Sequence, residues 1–250
     1  MAKVYTYFTP EEYGHFDHGF KQVFVLDILR ATSTMITALN HGTEAIYPVT
    51  SPDEAKKRKR ELEKDPNVGL PVILAGERKG EKIPGFERGN SPFEYIGERD
   101  EKNIVVMTTS NGTQAIERVN RVPSVMLLAN INMRSALDAV LPGENIAILC
   151  SGSHGEFSFE DSLSAGIFLS RLNLTKQYSL NDQSLFALHI AQTLFPKKQW
   201  DEKIYFDAIL NGIHAKRLIQ LKAEKDIEFA SQFDKFSLNG KLEDFSIVRC

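Results

Sequence analysis

The chain is poor in cysteine. Only Cys150 and Cys250 occur in 250 residues, too few for a disulfide framework or a four-thiolate zinc site. One follows an apolar run and the other is the last residue, so a cytoplasmic location is the expectation. An excess of positive charge is also missing. The 30 Lys and Arg stand against 33 Asp and Glu, a formal net charge of -3, which argues against a general nucleic-acid binder. No apolar stretch approaches the roughly 20 residues that span a bilayer. The segment Met1-Ala2-Lys3-Val4-Tyr5-Thr6-Tyr7 reads as a strand, not as a signal peptide. Neither nucleic acid nor membrane is expected as a partner. Internal repeats and low-complexity segments are absent. What remains, 42% hydrophobic and 25% charged residues, is the profile of an ordinary soluble globular protein of one large or two modest domains.

What the chain does have is a series of apolar runs that end in polar loops. Val23-Phe24-Val25-Leu26 stops at Asp27, with Arg30 three residues on and the hydroxyls of Thr32, Ser33 and Thr34 beyond. Val72-Ile73-Leu74-Ala75 leads into Gly76-Glu77-Arg78-Lys79-Gly80. Ile104-Val105-Val106-Met107 leads into Thr108-Thr109-Ser110-Asn111-Gly112-Thr113. Ile146-Ala147-Ile148-Leu149 leads into Cys150-Ser151-Gly152-Ser153-His154-Gly155. In an α/β protein such runs are buried strands, and the loops after them form the rim where open sheets bind ligands. An Asp beside an Arg suits a site that holds a cation and an anion together, such as magnesium with a phosphate ester.

Between the runs, helical patterns recur. Ser51-Pro52-Asp53-Glu54 opens one with a cap, a proline at the first helical position and a capping box. Its Lys56-Lys57-Arg58-Lys59-Arg60 run reads as a solvated face balanced by Glu54, Glu61 and Glu63. Strands and helices alternate as far as about residue 172. This implies a mainly parallel sheet with helices on both faces. Beyond residue 175 the pattern turns helical, and only Phe245 to Val248 reads as a late strand. The expected architecture is α/β; a boundary near residue 122 would divide it into domains 1–122 and 123–250, or the late helices pack back over one continuous sheet.

Each loop has a plain structural reading beside the chemical one. Asp27 is placed to cap a helix, but Thr32 and Ser33 are already available for that. The free amides around Ser110-Asn111-Gly112-Thr113, and again around Ser151-Gly152, would form anion nests at helix N-termini. The long loop from Gly76 to Pro92 brings Glu77 as a metal ligand and Arg78, Lys79 and Arg88 toward a polyanion. Glu160 and Asp161 open a helix and complement its dipole, or they bind metal. Cys150 reads as a buried structural thiol, and His189 and His214, in helical segments, as structural. His154 is a general acid or an exposed turn residue. His15-x-x-His18 is too short a signal for zinc.

Known phosphate fingerprints fail. There is no Walker A loop and no Gly-x-Gly-x-x-Gly turn. The second Asp of haloacid dehalogenase phosphatases would fall at Leu29. The Arg that a cysteine phosphatase loop needs would fall at Glu156.

Taken jointly, Asp27 through Thr34, Gly76-Glu77-Arg78, Gly89-Asn90-Ser91-Pro92, Thr108 through Thr113, Cys150-Ser151-Gly152, Glu160-Asp161 and Ala165-Gly166 resemble the 2-phosphosulfolactate phosphatase family in order and spacing. The stretch from Asp226 to Asp234 is similar to that family's C-terminal region. Ser110 departs from a pattern that often has a third Thr there, and it keeps the hydroxyl. The resemblance implies a magnesium-dependent phosphatase with two α/β/α domains and the site between them. It would cleave 2-phospho-3-sulfolactate to 3-sulfolactate and phosphate, a step that feeds coenzyme M synthesis in methanogens. It implies catalytic roles for Asp27, Arg30 and Asp161, and a metal set drawn from Asp27, Glu77, Glu160 and Asp161. It implies substrate contacts from Arg78, Asn90, Ser91, Ser110, Asn111, Gly112, Thr113, Ser151 and Gly152. Asp27 is either the nucleophile or the central metal ligand. The expected partner is a small anionic phosphorylated substrate, and a homodimer stands as the expectation for assembly. The alternatives are a phosphatase for another small phosphorylated hydroxy acid and a non-catalytic binder of an anionic metabolite.

Overall fold

The apolar runs are strands because β-branched and aromatic residues pack well on a pleated surface. They are buried on both faces: every residue of Gln22–Leu26, Asn103–Thr108 and Ile146–Cys150 is buried, as in a sheet covered by helices. The computed structural model describes residues 2–14, 19–97, 102–172, 178–196 and 199–250. His15 and His18 lie outside the described residues.

The strands are β1 (Ala2–Tyr7), β2 (Gln22–Leu26), β3 (Thr43–Pro48), β4 (Val72–Arg78), β5 (Glu81–Lys82), β6 (Asn103–Thr108), β7 (Ser124–Leu128), β8 (Ile146–Cys150), β9 (Tyr178–Leu180), β10 (Gly240–Glu243) and β11 (Ser246–Arg249). The helices are α1 (Pro10–Tyr13), α2 (Ala31–Asn40), α3 (Pro52–Leu62), α4 (Gly112–Arg118), α5 (Met133–Asp138), α6 (Phe159–Arg171), α7 (Asp182–Leu194), α8 (Glu202–Ile209), α9 (Ile213–Gln220) and α10 (Glu224–Ala230).

All the strands join one sheet in the order β5-β4-β6-β3-β11-β10-β7-β2-β8-β1-β9. Two parallel stretches make it up. In one, β2 pairs with β7 and β8, and β8 with β1. In the other, β6 pairs with β3 and β4. The β10–β11 hairpin lies between them, antiparallel to β7 on one side and to β3 on the other. The α/β class with a mainly parallel sheet is therefore observed. The division at residue 122 is not marked by a break in the sheet: β1 and β2 precede it, yet they lie among β7 and β8. The late strand expected from Phe245 is β11, and it has a partner, β10, that its half-polar sequence Gly-Lys-Leu-Glu does not announce.

The hairpin reverses strand direction between the two stretches. In a flat sheet their carboxyl ends would point to opposite edges. Sheets twist by about 20–25° per strand, so the five steps from β2 to β6 turn the sheet by roughly 100–125°, and the ends of β2 and β6 come together. Gly112 marks the meeting point: a Cβ there would stand 2.6 Å from Ala31 Cβ and 2.7 Å from Asp27 Oδ2.

Local sequence explains the helix ends. Gly42, at φ 95°, follows α2 as anticipated. Ser51 accepts from Glu54 N, while Glu54 Oε2 reaches one residue further back than a capping box, to Thr50 N at 3.0 Å. The basic run on α3 is a solvated face, paired with Glu61, Glu63 and Glu87. A small second core under α3 joins Ala55 and Leu62 to Val72, Leu74, Ile104 and Val106. The main core fills the rest of the molecule.

Candidate active site

Asp27 sits at the carboxyl end of β2 and is 5% exposed. The hydroxyl cluster behind it does not cap α2. Thr32 Oγ1 donates to Asp27 O at 2.9 Å and accepts from Asp27 N at 3.1 Å, and Ser33 Oγ donates to Ile28 O at 2.8 Å. These bonds satisfy buried hydroxyls and fold the loop back on itself. The Leu29–Arg30 peptide in this loop is cis. Asp27 Oδ1 accepts from Ala31 N at 3.1 Å.

A cavity of about 90 Å³ opens over Asp27. Arg30, Glu77, Asn90, Ser110 and Asn111 line it, all of them anticipated. Lys79, His154, His214 and Arg217 complete its charged and titratable wall. A second cavity, of about 520 Å³, shares Ser153, His154, Ile213 and His214 with it. The site thus draws on both stretches of sheet: Asp27 follows β2, Glu77 lies in β4, and Ser110 follows β6.

The carboxylates are buried and crowded. Burial pushes Asp27 up to about 6, with the charges of Glu77 and Glu160 adding to it; the His214 charge and the Ala31 amide work against the rise. Burial likewise raises Asp161 well above the carboxylate range, reinforced by Asp27 and Glu160. Asp161 Oδ1 accepts from Ile28 N at 2.9 Å, which places it directly behind the Asp27 loop. Glu160 bonds His214 Nδ1 through Oε1 at 3.0 Å. Burial alone would lower the His214 pKa, but this hydrogen bond and the charges of Glu160 and Asp27 outweigh it and raise it. His214 is therefore part of the site, contrary to the structural role expected of a helical histidine. His189 is exposed on α7, and its Nδ1 bonds Leu185 O.

Both expected anion nests are at least partly filled by the chain itself. Glu77 occupies the first: its Oε1 accepts from Ser110 N at 2.7 Å, and its Oε2 from Gly80 N at 2.7 Å and Ser110 Oγ at 3.2 Å. Thr113 exchanges hydrogen bonds with Thr109 and does not line the cavity. In the second, Ser151 N donates to Leu26 O, Ser153 N to Glu156 O and His154 N to Asn111 Oδ1, while the Gly152 amide serves Asp161. Ser151 and Gly152 support the loop from outside the cavity. Arg78 is spent as well: its guanidinium donates to Glu77 O, Thr50 O and Thr108 Oγ1. Cys150 is a buried thiol at the end of β8, and burial pushes its pKa well up.

Arg30 is only partly free. Its Nη1 meets Asp226 Oδ2 at 2.6 Å and its Nη2 donates to Gly80 O at 2.8 Å. Ser91 Oγ holds the other Asp226 oxygen at 2.7 Å. Ser91 thus positions the partner of Arg30.

Among the described residues, no three His, Cys, Asp or Glu side chains converge to hold a metal by themselves. Magnesium seldom asks for that, since it uses one or two carboxylates with water and substrate phosphate oxygens. The donor set fits that mode. Asp27 and Glu77 offer hard oxygens, and Asn90 Oδ1 is buried beside them with no hydrogen-bond partner. Glu160 faces His214 instead.

Comparison with known proteins identifies the family. The sequence profile of the family described as 2-phosphosulpholactate phosphatase matches residues 7–244. The chain belongs to that family. Among its members, a protein of Thermotoga petrophila named probable 2-phosphosulfolactate phosphatase is 36% identical over 212 residues, 85% of either chain. One of the same name from Caldanaerobacter subterraneus subsp. tengcongensis is 34% identical over 246 residues, 98% of this chain and 96% of its own. A third, from Carboxydothermus hydrogenoformans, is 30% identical over 249 residues, again 98% and 96%. The residues at the cavity and its support that sequence reasoning missed are His214, Arg217 and Asp226. The one available signal was the likeness of the Asp226 region to the family's C-terminal part.

Proposed function

We propose that this chain is a magnesium-dependent phosphatase that hydrolyses 2-phospho-3-sulfolactate to 3-sulfolactate and phosphate. The observation that carries the reading is the buried Asp27 carboxylate, walled by Arg30, Asn90 and His214 in one small cavity. It is joined by a second buried carboxylate, Asp161, one loop behind. Asp27 and Glu77 set carboxylates where an anionic ester would lie, and a cation between them and the phosphate would offset that repulsion. Magnesium, held by Asp27, Glu77 and Asn90, would neutralise charge on the phosphate oxygens when bound.

The remaining roles belong to side chains. Arg30, fixed by Asp226, turns its unspent N–H groups to the ester. His214, fixed at Nδ1 by Glu160, keeps Nε2 for the leaving-group oxygen. Asp27 acts ionised, whether it attacks phosphorus or holds the cation, and Asp161 holds the Ile28 amide and so the Asp27 loop.

The test is phosphate release from racemic 2-phosphosulfolactate, with magnesium and with excess chelator. Release that needs magnesium and exceeds release from phospholactate and aryl phosphates is the expected outcome. The folded Asp27→Asn protein is expected to be inactive, and wild-type rates in it would remove Asp27 from the mechanism. Acid-quenched enzyme carrying a phosphorylated Asp27 would assign it the attack on phosphorus. Magnesium-dependent binding without turnover would favour an anion-binding protein instead.

A further inference from the structure

The cavity wall holds two cations that the chemistry at phosphorus does not use. Arg30 is matched by Asp226 and His214 by Glu160. Lys79 and Arg217 also line the cavity. Both are exposed at its mouth, and neither has a carboxylate partner among the described residues.

Their placement is built, not incidental. Lys79 and Gly80 form the two-residue turn between β4 and β5, with φ of 58° and 84°. Such turns favour Gly, Asn or Asp at the first position, because a longer side chain is strained in the left-handed region. Here the turn is held from outside. Arg217, on α9, donates to Lys79 O from Nε at 3.2 Å and from Nη2 at 2.9 Å. Arg30 holds Gly80 O, and Glu77 holds Gly80 N. One edge of the Arg217 guanidinium is used in this grip, and Nη1 is left over. The grip ties the Lys79 backbone to Arg217 and so keeps both residues at the same rim. The Lys79 side chain makes no hydrogen bond among the described residues, so a packing role does not account for a lysine at a strained position.

We propose that Lys79 and Arg217 form the subsite for the second strongly acidic group of the substrate, its sulfonate, and so set the preference for sulfonated esters. This rests on the phosphatase reading above and adds which residues choose the substrate. A sulfonate stays charged at every working pH and spreads its charge over three oxygens. It is best met by cations that need not surrender a partner to bind it. It is also set apart from the phosphoester carbon by a methylene, which suits charges at the mouth better than Arg30, three residues from Asp27.

The experiment compares 2-phosphosulfolactate with 2-phospholactate, which keeps the phosphate and carboxylate and lacks the sulfonate. The full chain is assayed with magnesium as wild type, Lys79→Gln, Arg217→Gln and Arg217→Lys. A charge-assisted hydrogen bond is worth about 1.5–3 kcal/mol, so each Gln variant is expected to lower the ratio of kcat/KM for the two esters by about 10- to 100-fold. The change should fall mainly on KM, and Arg217→Lys should keep part of the ratio. An unchanged ratio in both Gln variants overturns the proposal, even if both esters are turned over more slowly, because that is what loss of the turn alone would do. Lys79→Gln removes a charge that makes no hydrogen bond or ion pair among the described residues, so at least one arm does not depend on the grip. Wild type that treats both esters alike overturns the subsite and leaves the phosphatase reading standing. No release from either ester overturns both.

Discussion

Asp27 sets function against stability within one residue. Its ordinary carboxyl value is 3.8, and burial among Glu77 and Glu160 raises it to about 6. The folded state therefore holds the proton more tightly than the unfolded chain. The stability this contributes is fully present below about pH 4 and is lost as pH rises through 6. At pH 7.5 the ionised group weighs against the fold. Asp27→Asn is therefore expected to lose turnover and gain stability. Its Tm advantage over wild type, measured without magnesium, should be larger at pH 7.5 than at pH 5, by about 2–4 °C per kcal/mol. A variant that is less stable than wild type at pH 7.5 would mean that the carboxylate is held by the fold and not imposed on it. At this scale the sequence was legible where chemistry sits beside a strand end: Asp27, Arg30, Glu77, Asn90, Ser110 and Asn111 all reach the cavity. It was not legible for His214 and Arg217 on α9 or Asp226 on α10. A helical residue declares its neighbours only once the helix is docked, and nothing local to Ile213–Gln220 says that it docks on the Lys79 turn. The nests misled for a related reason. Free amides invite an anion, but here the chain's own carboxylates supply it, Glu77 at Ser110 and Asp161 at Gly152.

Among the elements, α6 and α7 show a helix pair whose spacing one glycine decides. Gly166 lies mid-helix in α6. A Cβ on it would come within 2.0 Å of Ala187 O and 3.0 Å of Ala191 Cβ on α7. Two effects oppose each other in Gly166→Ala. Alanine favours a helix interior by roughly 0.5–1 kcal/mol. Overpacking against backbone costs about 1–3 kcal/mol, and a carbonyl does not swing aside as the end of a side chain does. The second effect should win, so Gly166→Ala is expected to lower Tm by several degrees while Glu160 and Asp161, at the start of α6, keep their partners. Thermal melts beside kcat would separate the two, and a raised Tm would show that α7 is free to shift. The elements themselves were readable wherever apolar runs were long, from β2 to β8. The short edge strands β5 and β9, and the half-polar β10, carry too little pattern to stand out. Pairing, not propensity, makes them strands.

For the molecule as a whole, the β10–β11 hairpin is the only strand connection between the two parallel stretches among the described residues. Ile247 is fully buried and pairs with Ile46 of β3, and Lys241 pairs with Met126 of β7. The sequence leaves open two successive domains cut near residue 122 or one continuous sheet, and it does not give the strand order. The sheet interleaves β1 and β2 with β7 and β8 and closes the gap with the last strands of the chain, an order set by long-range pairing that no local pattern encodes. A chain ending at Leu238 lacks that joint. Removing it exposes the edges of β3 and β7, and unpaired edges invite association. The truncated chain is expected either to unfold in separate transitions when followed by two probes in urea, or to aggregate during size-exclusion chromatography. Its phosphate release should vanish even where both stretches stay folded. Asp27 and Asp161 are carried by one stretch and Glu77 and Ser110 by the other, so the cavity exists only while the two are held in register. A single coincident transition at the full-length midpoint, with activity retained, would show that packing of α2 and α4 across the junction holds the site together without the hairpin.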